Sequence, residues 1–67
     1  MTLTLHGLTY RVMAPHWFEL VGAPLIIAMD AERRWLIQVR GEWSLLAFAS
    51  RNSAALYVAD VFERAQA

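Results

Sequence analysis

Residues 25–57, LIIAMDAERRWLIQVRGEWSLLAFASRNSAALY, decide the fold. Apolar side chains recur at every second position until Ser50 and at about every 3.6 positions after it. Leu25–Asp30, Arg34–Arg40 and Trp43–Ala49 therefore read as strands joined by turns, and Arg51–Ala65 reads as a helix. The implied class is α+β: a small antiparallel sheet of three to five strands with one C-terminal helix packed on one face. Residues 1–67 are expected to form a single small domain.

Register follows from the turns. A two-residue type II′ loop at Gly41-Glu42 pairs Val39 with Ser44, Ile37 with Leu46 and Trp35 with Phe48. A three-residue turn, Ala31-Glu32-Arg33, brings Leu25, Ile27 and Met29 to the same face. The expected core face is Leu25, Ile27, Met29, Trp35, Ile37, Val39, Leu46 and Phe48. The opposite face carries Ile26, Leu36, Gln38, Arg40, Trp43, Leu45 and Ala47, which is too apolar for a simple solvated surface. Either the N-terminal strands fold under it, or another chain covers it.

Ser50 is placed to cap the helix, with Ser53 three residues on. Ala54, Ala55, Val58, Val61, Phe62 and Ala65 form its apolar stripe. Leu56 and Tyr57 fall off that stripe, and Asp60 and Arg64 form an i,i+4 pair. Upstream, Met1–Leu5 and Leu8–Met13 alternate as strands about a hairpin at His6-Gly7, and Pro15 closes the second. Trp17–Val21 suits a strand or one helical turn, and the alternation of Phe18 and Leu20 with Glu19 favours the strand.

Composition narrows the function. A chain of 67 residues buries only about 60% of its unfolded surface, and small domains usually need a staple. With no cysteine, neither a disulfide nor a thiolate zinc site is available. The sequence is 58% hydrophobic, more than one thin core needs, so the surplus is expected at an interface. Six Arg balance six acidic residues, which disfavours nucleic acid as a partner. Exclusive use of Arg and abundant Ala suggest a GC-rich bacterial or phage genome. The longest apolar run, Val21–Met29, is nine residues and contains Gly22 and Pro24. A spanning helix needs about 20, so no membrane partner is expected and a cytoplasmic location is.

No motif carries chemistry. His6, His16 and Glu19 are the one conceivable metal set, but two imidazoles without cysteine are more simply turn residues. Ser44, Ser50 and Ser53 lack a nucleophile-elbow context. The chain is expected not to be an enzyme and to need no cofactor. Trp and Arg dominate protein-interface hot spots, so Trp43, Arg40, Gln38, Leu36, Leu45 and Tyr57 are the candidate partner-binding residues. The expected activity is occlusion of a surface on a larger host protein or complex. A homodimeric assembly subunit is the alternative, and a nucleic-acid-binding regulator a weaker one. In size and economy the chain resembles small accessory proteins of phages and mobile elements, anti-CRISPR inhibitors among them. That likeness rests on no motif and names no family.

Overall fold

A computed structural model describes residues 1–66. Strands β1 (Thr2–Leu5), β2 (Leu8–Ala14), β3 (Trp17–Leu20), β4 (Leu25–Met29), β5 (Trp35–Val39) and β6 (Glu42–Phe48) precede helix α1 (Arg51–Gln66). The strands form one antiparallel meander in sequence order. The fold is α+β as expected, but with six strands rather than three to five. The loosely specified N-terminal segments all pair, and Trp17–Leu20 is a strand. These strands lengthen the sheet sideways and do not fold beneath it.

Turn chemistry explains the pairing. His6 and Gly7 have φ of 50° and 82°, and Arg40 and Gly41 have 52° and 84°. Two successive positive φ values define a type I′ hairpin, whose twist matches that of the flanking strands. The β5–β6 loop is therefore Arg40-Gly41, with Val39 paired to Glu42, and not a type II′ loop at Gly41-Glu42. Arg40 consequently leaves the second sheet face, where the sequence places it, and enters the turn.

A bulge in β6 absorbs the difference. Gln38 pairs with Trp43 on the turn side, and Leu36 pairs with Ala47 beyond it. Ser44, Leu45 and Leu46 thus lie opposite Ile37 alone. The expected pairs Val39–Ser44 and Ile37–Leu46 do not form, whereas Trp35–Phe48 does. Because the offset is two residues, no side chain changes face. A second bulge at Met13 lies between the Val12–Phe18 and Ala14–Trp17 pairs.

The β4–β5 turn matches its expected length. The Asp30 N–H donates to the Arg34 carbonyl (2.9 Å), and Arg33, at φ 63°, closes the turn through its N–H to the Asp30 carbonyl (3.1 Å). The Asp30 carboxylate accepts the N–H groups of Glu32 (3.0 Å) and Arg34 (2.8 Å).

The helix starts as the sequence dictates, with the Ser53 N–H donating to Ser50 Oγ at 3.1 Å. It crosses the sheet diagonally. Near its N-terminus the Arg51 guanidinium lies 5.1 Å from the Phe18 ring centre, and Asn52 Oδ1 is 2.9 Å from His6 Nε2. Toward its C-terminus Val61 and Phe62 flank Leu25 and Val39. Ala54, Ala55 and Val58 are buried against Tyr10, Phe18, Leu20, Leu25, Ile27, Trp35 and Ile37. Two small alanines let the backbone sit close to the sheet. Val39 and Leu46, expected in the core, are half-exposed, as is Val61 on the helix, and Ala65 is exposed. The bulged edge of β6 extends past the cover that one diagonal helix provides.

Candidate protein interface

The sheet face away from α1 has no covering layer among the described residues. Two cross-strand rows define it. Arg11, Glu19, Ile26, Gln38 and Trp43 follow one another across β2 to β6, and Trp17, Ala28, Leu36 and Ala47 follow one another across β3 to β6. Their side chains share a face because directly paired residues point the same way. Threonines and Arg11 occupy the β1–β2 half, so the apolar part is the β3–β6 half.

Two indoles organise that half. The Trp17 and Trp43 rings meet edge to face, with centroids 5.9 Å apart and planes at 84°, an arrangement the ring quadrupoles favour. Trp17 Nε1 donates to Glu19 Oε2 at 3.0 Å, which holds the ring over the sheet. Ala28, the Cα partner of Trp17, is buried although it belongs to this face. Trp43 remains 44% exposed. An aromatic pair held by a carboxylate, with Ile26, Leu36 and Gln38 between, offers a partner a rigid apolar anchor and a polar handle. It holds no acid–base pair or nucleophile.

The structure separates the residues singled out from sequence. Leu36, Gln38 and Trp43 come together on the open face. Arg40 sits in the hairpin turn and lines, with Trp43, Glu42, Val39 and Ser44, a hollow of about 450 Å³ at the β5–β6 turn, with residues of both sheet faces in its wall. Leu45 stands at the β6 bulge on the sheet edge, fully exposed. Tyr57 is on the helix side, its ring 5.4 Å from that of Phe48, so the sheet divides it from Trp43. Trp17 and Glu19 were not singled out as binding residues. The signal was present: Phe18 and Leu20 inward leaves Trp17 and Glu19 outward once β3 is accepted as a strand.

His6, His16 and Glu19 do not converge. His6 bonds Asn52, His16 lies edge-on to Trp35 at 5.9 Å, and Glu19 holds Trp17 on the other face. Among the described residues no three His, Cys, Asp or Glu side chains gather, and no helix is long and apolar enough to cross a membrane. Comparison with known proteins finds no matching family model, curated protein or solved structure.

Proposed function

We propose that this chain is a non-catalytic binding module that docks on a larger protein through its open sheet face and occludes the surface it covers. One observation carries the reading: the helix covers a single face of the sheet, and the other presents the Trp17–Trp43 pair with Ile26 and Leu36 and, among the described residues, no covering layer. Apolar patches of this kind, anchored by tryptophan, are the usual centres of protein interfaces. A formal net charge of zero favours protein over nucleic acid as the partner. Small size and an Arg-only basic composition support an accessory protein of a phage or mobile element, acting in the host cytoplasm as an inhibitor of a defence complex.

Immobilised chain exposed to lysate of a high-GC bacterium should retain one protein. The purified partner should then bind with one-to-one stoichiometry in calorimetry. Trp43→Ala or Leu36→Glu should weaken binding at least ~10-fold. Binding that survives both substitutions sinks the reading. So does retention of nucleic acid alone, with affinity falling steeply as salt rises.

A further inference from the structure

The row of side chains that crosses the open face is complementary to its own reverse. From β2 to β6 it runs Arg11, Glu19, Ile26, Gln38, Trp43. Ile26 is its centre. A carboxylate and a carboxamide stand one strand to either side, and a guanidinium and an indole stand two strands out. Among the described residues Arg11 makes no ion pair. Trp17 Nε1 engages only Oε2 of Glu19, which leaves the other oxygen to accept. The next row runs Ala14, Trp17, Ala28, Leu36, Ala47, small and large in alternation about Ala28. At one margin of the face Met13 shares with Ala14 the place opposite Trp17, and it is 58% exposed. At the other margin Leu45, between Trp43 and Ala47, is bare.

The centre of the face is also low. Trp17 and Trp43 stand on strands three spacings apart, roughly 14 Å, yet their ring centroids are 5.9 Å apart. The indoles therefore lie along the sheet, across β4 and β5, and do not stand out from it. A flat aromatic layer fits the ~10 Å gap between two packed sheets.

We infer that two copies of the chain pack open face to open face about a two-fold axis running along β4. Rotation about that axis keeps each row at its level and reverses its order. β2 of one copy then lies over β6 of the other, and β3 over β5. Arg11 reaches the Trp43 indole of the second copy, a cation–π contact. Glu19 accepts from the Gln38 carboxamide of the second copy, and Ile26 meets Ile26 at the axis. Leu45 is covered by Met13 of the second copy. A two-fold contact needs a patch complementary to itself, and in this register no two like charges meet. Area is consistent with the same occupant. Arg11, Met13, Trp43, Leu45 and Ala47 are exposed and the central residues half-buried. The face offers on the order of 700 Å² per chain, close to the ~800 Å² that each partner of a standard interface buries. A chain of 67 residues without cysteine also gains from a second subunit.

The inference goes beyond the proposed function and shares its face. A host protein that docks there displaces the second copy, so the dimer is the resting form. The polar groups within the row keep its dissociation constant on the order of 10 µM, and dilute chain is monomeric.

Sedimentation equilibrium of the whole chain from about 1 to about 500 µM tests this. Wild type should pass from the 7.6 kDa of one chain to twice that mass. Leu45→Glu replaces a side chain that supports nothing in its own fold. It should weaken association at least ~10-fold with an unchanged circular dichroism spectrum. Arg11→Glu should do the same, and Val61→Glu, on the helix side, should leave association intact. Engineered cysteines read the register, since the chain has none of its own. Under a short bismaleimide, an equimolar mixture of Met13→Cys and Leu45→Cys should join far better than either variant joins to itself. A wild-type monomer throughout the range overturns the inference. So does a dimer that tolerates Leu45→Glu, or Leu45→Cys that joins to itself as readily as to Met13→Cys. Retention of a host protein is read separately, so either proposal can fail alone.

Discussion

Tyr10 buries its whole side chain in the core, and its Oη finds no hydrogen-bond partner among the described residues. Burial disfavours the phenolate and pushes the pKa up to about 12. The folded chain therefore keeps this proton above pH 10, where the unfolded chain releases it. Stability from this source is complete below the ordinary tyrosine pKa and is lost as pH rises from there toward about 12. Tyr10→Phe removes an orphaned hydroxyl, so stability at pH 7 should be unchanged or higher by up to ~1 kcal/mol. The alkaline loss should shrink, as urea titrations at pH 7 and 11 will show. Asp30 acts in the opposite sense. The Arg34 N–H, then the Arg34 side chain and the Glu32 N–H, hold its carboxyl below the usual value against some desolvation. That contribution is present above the ordinary aspartate pKa and fades as pH falls through the lowered one. Asp30→Asn should flatten the acid limb of a stability-against-pH curve.

At the scale of elements, the local signals were the readable ones. Ser50 caps α1 because an oxygen three residues before a free N–H has one obvious use. Ser50→Ala should cost about 1 kcal/mol in denaturant titrations. The three-residue β4–β5 turn was readable because parity demanded an odd count. The β5–β6 hairpin was not, because Gly41 suits the first position of one turn type and the second of another. The choice falls to Arg40-Gly41 at the expense of a non-glycine residue at φ 52°, a conformation that Asn tolerates better than Arg. Arg40→Asn should raise stability by up to ~1 kcal/mol, with no change in fold by circular dichroism. Loss of stability would show that Arg40 is tied down by contacts the turn geometry does not reveal.

Across the whole molecule, the two sheet faces should differ sharply in what they contribute to folding. Ile27 lies fully buried beneath the helix, so Ile27→Ala should cost ~2–5 kcal/mol. Trp43, larger but on the open face, should cost no more than ~1.5 kcal/mol as Trp43→Ala, mostly through its contact with Trp17. Comparable costs at both positions would mean that the second face is covered in the isolated chain. The candidate binding residues fall on both sides of the same divide. Leu36, Gln38 and Trp43 share a face by alternation alone, which a sequence displays. Tyr57 falls off the apolar stripe of the helix and so reads as exposed, but nothing local shows that the sheet stands between it and Trp43.

Taken alone, the sequence determined the α+β class, the face on which each residue of β4 and β5 points, and the start of the helix. Those features depend on period, parity and capping, which act within a few residues. Tertiary structure decided where the first twenty residues go, how the bulged edge leaves Leu46 half out of the core, and which apolar surface stays bare. Those outcomes turn on how much sheet a single helix can shield, a property of assembled layers that no stretch of chain encodes by itself.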